Sequence, residues 1–145
     1  NHPASKYTGE DVVKVKDAPN YFDKYVKMVV MISEIRQIKT KKNEDMAFVT
    51  AGDETGLMNY VIFPKKNSLL NVIKHDKLYI VYGQVTRKDY NYQIVVSNIL
   101  EVYTAIFLCK RNHIHLFSGD DSKPDSIRCI QFVRITDIYF GVARV

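Results

Sequence analysis

The chain has 145 residues, of which 46% are hydrophobic, so it suits one ordinary domain with a real core and is too apolar for extensive disorder. Six glycines and four prolines exclude collagen-like and low-complexity chains. The net charge of +5 is a mild basic excess that is compatible with an anionic partner without requiring one. No apolar run reaches the ~18 residues of a membrane span, so no membrane contact is expected.

Residues 1–24 form a lead-in segment of mixed character, in which Pro19-Asn20 marks a turn. The chain starts at Asn1 without methionine and shows no signal peptide, so we interpret it as a fragment of a longer cytoplasmic protein, monomeric in isolation. Cys109 and Cys129 are too few for a disulfide framework, and the histidines show no metal-ligand spacing with them. We therefore expect reduced thiols, no metal and no cofactor.

Five segments from residue 25 onward carry strand-like patterns of β-branched and aromatic residues: Tyr25–Ile38, Met46–Ala51, Leu57–Phe63, Leu78–Thr86 and Tyr92–Val102. Between the third and fourth, Asn67–Lys74 has helical spacing, with Asn67 or Ser68 as its cap. Gly83 inside the fourth strand indicates a bulge or bend. The order β-β-β-α-β-β is that of the OB-fold, a five-stranded Greek-key barrel, so we predict a fold dominated by β-structure with residues 25–103 as the OB-fold domain.

Residues 104–145 alternate strand-like runs around the loop Gly119–Pro124, and they predict a small β-rich C-terminal appendage.

Side-chain alternation predicts which residues of the second and third strands face the barrel interior. Small and aliphatic side chains suit that interior, so we assign it Ala47, Val49, Ala51, Met58, Tyr60 and Ile62. The outer face then carries Met46, Phe48, Thr50, Asn59, Val61 and Phe63. A register shift of one residue would bury Phe48 instead.

Enzymatic motifs are absent from the sequence, which has no G-x-S-x-G, no Gly-rich phosphate loop and no H-E-x-x-H. The carboxylate pairs Asp53-Glu54 and Asp120-Asp121 lie in turns, where such pairs usually shape the turn and face solvent. We expect this fragment to be non-catalytic.

Two basic loops favour nucleic-acid binding. In an OB-fold, the loops between strands one and two and between strands four and five flank the face that binds single-stranded nucleic acid, where cations neutralise phosphates and aromatic rings stack on bases. The first loop and its strand end carry Arg36, Lys39, Lys41 and Lys42, and the second carries Arg87, Lys88, Tyr90 and Tyr92. The alternative is a pair of solvated charged hairpins. Glu44 and Asp45 beside the first cluster favour weak, sequence-independent binding.

The stretch Ile32–Pro64 resembles the OB-fold, of the tRNA anticodon-binding type, in the bacterial replicative DNA polymerase III alpha subunit. The family pattern is T-K-K-G-x-x-M-A-F, then E-D-x-T-G, then V-V-F-P, and this sequence has Thr40-Lys41-Lys42-Asn43, Met46-Ala47-Phe48, Asp53-Glu54-Thr55-Gly56 and Val61-Ile62-Phe63-Pro64. Lys77–Thr86 resembles the D-x-I-V-x-V-x-G-x-V run of the family, and His2-Pro3 with Tyr7 resembles its H-P-x-x-x-Y lead-in. The resemblance covers about residues 1–102. Asn43 replaces the usual loop glycine, which implies a stiffer loop or a left-handed asparagine.

The resemblance implies a non-catalytic module that binds single-stranded DNA and positions the template of a parent DNA-directed DNA polymerase. It carries DNA binding over to Arg36, Lys39, Lys41, Lys42, Phe48 and Asn59. It also implies the clamp-loader tau subunit as a possible protein partner, although residues 104–145 show no motif for it. His113-Ile114-His115-Leu116-Phe117 loosely resembles the peptide that docks into a sliding clamp, or is an ordinary strand. The alternatives are a protein-docking module of the replisome and an RNA-binding OB domain of the anticodon type.

Overall fold

The β-branched and aromatic runs of the sequence form five strands, which a computed structural model describes together with the lead-in over residues 2–7 and 12–103. The strands are β1 Tyr25–Lys39, β2 Asp45–Asp53, β3 Gly56–Ile62, β4 Leu78–Lys88 and β5 Asn91–Glu101. They close into a barrel in the order β1-β2-β3-β5-β4, with β3 and β5 parallel and all other pairs antiparallel. The predicted OB-fold is confirmed.

The long first strand serves both sides of the barrel. Its first half, Tyr25–Met31, pairs with β4, and its second half pairs with β2. A register shift between Ile32 and Glu34 marks a bulge at the changeover. Before the bulge Val30 and Ile32 lie in the core, whereas after it Ile35 packs against the core. The bulge therefore turns Glu34 and Arg36 to the outer face.

Gly83 lies at the second irregularity, a register shift in the β4–β5 ladder between Tyr82 and Gly83. A Cβ atom at this position would come within 2.5 Å of both the Ile94 side chain and the Val95 carbonyl oxygen. Only glycine allows the two strands to approach this closely, and the bend predicted at Gly83 is confirmed.

The alternation predicted for β2 and β3 agrees with the core. The six residues assigned to the interior all belong to the main core cluster: Ala47, Val49, Ala51, Met58, Tyr60 and Ile62. Two residues assigned to the outer face are nevertheless buried, Met46 at 9% and Val61 at 2% exposure. Val61 is flanked by Phe48 on β2 and Val95 on β5, so its neighbours on the outer face cover it.

The segment between β3 and β4 differs from the predicted helix over 67–74. It is a 3-10 helix at Pro64–Asn71 with Phe63 at the N-cap position. Pro64 starts the segment earlier because its fixed φ suits a first helical turn and its missing N–H costs nothing there. The Tyr79 hydroxyl accepts a hydrogen bond from the Lys74 amide at 2.7 Å and donates one to the Val72 carbonyl at 3.1 Å, which ties the segment to β4.

The lead-in packs on the barrel more closely than its mixed sequence indicates. Its described residues form two 3-10 helices, Pro3–Lys6 and Val15–Tyr21, and Val12 bridges to Lys27 of β1. His2 caps the first helix through Nδ1, which accepts from the Ala4 amide at 3.0 Å. Tyr7 is buried in a second apolar cluster against β1 and β4. These contacts give the His-Pro and Tyr7 positions of the lead-in a structural role.

Asp53 does not face solvent, contrary to the prediction for the turn carboxylates. It is 5% exposed, and its carboxylate accepts hydrogen bonds from the Val15 amide at 3.0 Å and the Thr55 amide at 2.8 Å. Glu54 pairs with Lys14 at 2.8 Å. The β2–β3 turn is thus a latch for the lead-in, because burial of Asp53 is compensated by donors from both segments.

The predictions for residues 104–145, namely the β-rich appendage, the reduced cysteines and the clamp-like string, lie outside the described residues. The division into residues 1–24, 25–103 and 104–145 stays a prediction. None of the helices in the two described ranges is long and apolar enough to cross a membrane.

Candidate nucleic-acid interface

A groove of about 360 Å³ crosses the outer face of the barrel, and seven residues from all strands line it: Glu34, Arg36, Phe48, Thr50, Asn59, Lys88 and Gln93. The strand register arranges six of them, all except Lys88, in two neighbouring rows. One row runs across the strands through Arg36, Phe48, Val61 and Val95. The other runs through Glu34, Thr50, Asn59 and Gln93. The groove floor therefore pairs an aromatic and cationic row with a polar row.

Phe48 stands at the centre of the first row with two cations around its ring. The Arg36 guanidinium carbon lies 5.2 Å and the Lys88 ammonium nitrogen 5.8 Å from the ring centroid. Contacts of this kind contribute about 0.5–1 kcal/mol at exposed sites. The ring is thus half-buried on the outer face, as the alternation predicted, and positive charge surrounds it.

The polar row presents hydrogen-bonding groups of defined direction. The Thr50 hydroxyl donates to Asn59 Oδ1 at 3.4 Å, which leaves the two N–H groups of the Asn59 amide available to a ligand. Gln93 lies opposite Asn59 on β5 and adds a second amide.

The β1–β2 loop keeps the two lysines at its tip exposed to solvent. The Thr40 amide donates to the Glu44 carbonyl and the Asn43 amide to the Thr40 carbonyl, both at 2.9 Å. Asn43 adopts a φ of 63°, the left-handed conformation, which is one of the two outcomes that the family resemblance implied for this position. Lys41 and Lys42 are exposed at the tip.

Lys39 differs from the other predicted cations of this loop because it forms an ion pair: its Nζ lies 3.0 Å from Asp45 Oδ1. Both side chains are substantially exposed, so the pair contributes little to folding but does reduce the charge that Lys39 offers to a phosphate.

The β4–β5 hairpin divides its four predicted site residues. Its loop contains only residues 89 and 90, because the strands extend to Lys88 and from Asn91. Lys88 reaches the groove. Tyr90 is 88% exposed in the loop.

Arg87 and Tyr92 lie opposite each other in the hairpin and do not line the groove. The Arg87 guanidinium carbon lies 5.8 Å from the Tyr92 ring centroid, and Phe22 meets the same ring edge-on at 6.1 Å. Tyr92 packs against the core cluster. These contacts give both residues a structural role at the end of the barrel.

Of the ten site residues predicted from the sequence, the groove lining therefore includes Arg36, Phe48, Asn59 and Lys88. Sequence reasoning did not select Glu34, Thr50 or Gln93. Alternation along β2 had already placed Thr50 outward, but Glu34 depends on the bulge and Gln93 on the β3–β5 pairing, which neither local pattern reveals.

The groove lining combines two cations, one carboxylate, one aromatic ring and three neutral polar side chains. Across the described residues, no three His, Cys, Asp or Glu side chains come together in a way that could hold a metal ion. Two described core residues outside the groove have shifted pKa values: burial raises the pKa of Tyr60, with the Asp53 charge adding to it, and burial likewise raises the pKa of Tyr79.

Comparisons with known proteins agree with this fold. The chain is 34% identical over 79 residues to the DNA polymerase III subunit alpha of Staphylococcus epidermidis, a match that covers 54% of this chain and 7% of that protein. The protein of the same name from Halalkalibacterium halodurans is 33% identical over 105 residues, covering 68% of this chain and 9% of that protein. The matched part of this chain thus spans less than a tenth of either relative.

A crystal structure described as an aspartyl-tRNA synthetase from Leishmania major Friedlin has a TM-score of 0.53 at 17% identity, over 68% of this chain and 22% of that one, which is a likeness of fold alone. The family whose sequence pattern matches this chain is described as OB-fold nucleic acid binding domain, and its match covers residues 26–102. That range spans the barrel from the second residue of β1 to the end of β5 and more than half of the chain, and the chain belongs to the OB-fold nucleic acid binding domain family.

Proposed function

We propose that this domain binds single-stranded DNA in the groove, as the non-catalytic OB module of a bacterial replicative DNA polymerase alpha subunit that positions the template strand. The observation that carries the proposal is the outward Phe48 ring, which lies near the cations of Arg36 and Lys88. The exposed Lys41 and Lys42 add positive charge at the tip of the β1–β2 loop. Such a module works where the chromosome is copied, in the bacterial cytoplasm.

A base can replace the contacts that the Phe48 ring makes in the free protein. Base–aromatic stacking contributes ~1–3 kcal/mol per base, whereas an exposed cation–π contact contributes only about 0.5–1 kcal/mol. A base that stacks on Phe48 and displaces Arg36 therefore gains free energy. The released guanidinium is then close to the phosphate of the same nucleotide, where it forms charge-assisted hydrogen bonds.

This exchange requires an unpaired base. In a duplex both faces of each base are already stacked, and unstacking costs a few kcal/mol per step. The groove should therefore favour single strands over duplexes, while the loop lysines contribute a charge-dependent term for either.

The relatives support the biological setting. The identity of 33–34% to polymerase alpha subunits covers the barrel itself, so the parent protein is proposed to be a DNA-directed DNA polymerase. Its catalytic centre would lie elsewhere in the longer protein, and we expect no nucleotide incorporation by this fragment alone.

The experiment is a fluorescence-anisotropy titration of the fragment with single-stranded DNA, duplex DNA and RNA of equal length at several salt concentrations. We expect single-stranded DNA to bind more tightly than duplex, with an affinity that falls by about 0.7 logarithmic units per phosphate contact for each tenfold rise in salt. Equal or tighter duplex binding contradicts the proposal. Tighter binding of RNA favours the anticodon-type alternative, and no nucleic-acid binding favours a protein-docking module such as a clamp-loader or clamp contact.

A further inference from the structure

Glu34 is an acidic side chain on the floor of a groove whose other charged lining residues, Arg36 and Lys88, are cations. The bulge between Ile32 and Glu34 turns it outward, onto the face that carries Phe48. Among the described residues, its carboxylate has no ion pair or hydrogen bond, so it is free to accept hydrogen bonds from a ligand. A carboxylate in the groove repels phosphates, and this repulsion alone would oppose the proposed function. The position of Glu34 therefore calls for another explanation.

The two rows of the groove place Glu34 within reach of a stacked base. Residues two apart on one strand face lie about 6.6 Å from each other, and Glu34 and Arg36 are such a pair on β1. A base centred over Phe48, opposite Arg36, therefore directs one edge toward the row of Glu34, Thr50 and Asn59. That row, rather than the aromatic row, can distinguish one base from another.

We propose that Glu34 makes the groove selective for bases with an exocyclic amino group, so that it favours cytosine over thymine. This inference rests on the proposed function. An ionised carboxylate only accepts hydrogen bonds. Cytosine presents an amino donor at C4, whereas thymine presents a carbonyl acceptor there, which the carboxylate repels. Cytosine and thymine have the same ring size and sugar, so comparing them holds the phosphate charge fixed, and Glu34→Gln separates this contact from the stacking of the thymine methyl group.

The amide of Asn59 supports such discrimination from the other side of the row. Because Thr50 occupies its oxygen, its N–H groups are free to donate to a ring nitrogen or carbonyl oxygen. Glu34 accepts a hydrogen bond and Asn59 donates one, so the base edge must present a donor to Glu34 and an acceptor to Asn59.

The test measures the affinities for oligo-deoxycytidine and oligo-deoxythymidine of about twelve nucleotides, within the ~4–16 that one OB-fold covers. The titrations run at fixed salt and about pH 8, where carboxylates are ionised. We expect the native fragment to prefer the cytidine strand about fivefold, the low end of what one base-edge contact contributes. Glu34→Gln should abolish this ratio and raise thymidine binding, because an amide both donates and accepts.

Glu44→Gln is the matched control, since Glu44 is an exposed glutamate of the β1–β2 loop that does not line the groove. It removes the same charge, so it should raise both affinities and keep their ratio. Equal affinities of the native fragment for the two strands overturn the inference while leaving the proposed function intact. The same holds if Glu34→Gln shifts both affinities equally. Binding of neither strand overturns both.

Discussion

In the proposed function, Phe48 is the side chain on which base stacking depends, so its removal should leave electrostatic binding intact. We expect Phe48→Ala to cost ~1–3 kcal/mol of single-strand affinity with a nearly unchanged salt slope. Anisotropy titrations at several salt concentrations measure both quantities. Because the ring is only half-buried on the outer face, the loss of folding free energy should stay well below the ~3–5 kcal/mol of a core phenylalanine.

Phe63→Ala is the control for that variant. Phe63 is also outward-facing and 44% exposed, but it does not line the groove. Its truncation should leave affinity unchanged. If a thermal melt shows that Phe48→Ala collapses the fold, the stacking role is wrong, and an intact melt with unchanged affinity favours protein docking instead.

At the scale of elements, the β1–β2 loop should act through charge alone. Lys41→Ala combined with Lys42→Ala removes two exposed cations from the loop tip. If both contact phosphate, the salt slope for single strands should flatten by about 1.4 logarithmic units, ~0.7 for each. Titrations at low and high salt measure the change, and the affinity loss should shrink as salt rises because screening already weakens these contacts.

The combination of Lys74→Ala and Lys77→Ala is the matched control, because it removes the same charge from the segment before β4, outside the groove lining. It should weaken the long-range electrostatic attraction between the protein and DNA without removing a phosphate contact. A slope that flattens equally in both double variants would mean that the β1–β2 loop has no contact of its own.

The latch between the lead-in and the β2–β3 turn should depend on Asp53. Asp53→Ala leaves the Val15 and Thr55 amides without their acceptor, which should cost about 1–3 kcal/mol of stability. Hydrogen exchange should show lost protection at Val15 while the barrel amides keep theirs. Glu54→Gln, which breaks only an ion pair with Lys14, should cost less than about 1 kcal/mol. Equal effects of the two variants would contradict the latch.

Elements and their order were predictable because each strand carries its own periodicity and turn residues, whereas the site needed information from outside each strand. Alternation in β2 correctly turned Phe48 outward. In β1 the same alternation would have pointed Arg36 the same way as Ile32, and only the bulge turns it out. In the hairpin, the charge and aromatic content of residues 87–92 predicted a basic aromatic loop. Strand pairing sends neighbouring residues to opposite faces, so Lys88 reaches the groove and Arg87 does not.

At the scale of the whole molecule, the barrel should lose stability in alkali. Burial raises the pKa of Tyr60 and of Tyr79 above the ordinary value of 10.0. Above that pH the unfolded chain releases phenolic protons that the folded barrel retains, so the unfolded state binds fewer protons and the free energy of unfolding falls as pH rises. Below that pH both states keep their phenolic protons, so the stability that depends on these two tyrosines is fully present. Urea unfolding at a series of pH values from neutral to alkaline measures the effect.

Tyr60→Phe should flatten part of this alkaline fall, because the variant has no phenol to ionise in either state. Tyr90→Phe is the control, since Tyr90 is 88% exposed and should leave the profile unchanged. Identical alkaline profiles for the native fragment and Tyr60→Phe would contradict the role of the buried phenol.

The position of β5 between β3 and β4 has a consequence for the order of synthesis. Until β5 is made, the chain can form only a four-stranded sheet in the order β4-β1-β2-β3, with β3 and β4 as its two open edges. Unpaired edges recruit other chains, and long-range pairing is slow. A nascent chain that ends before Asn91 is therefore the form most exposed to aggregation. As the last strand of the barrel to leave the ribosome, β5 protects both edges at once. It also brings Gln93 to the groove, so the barrel and the groove lining are completed in the same step.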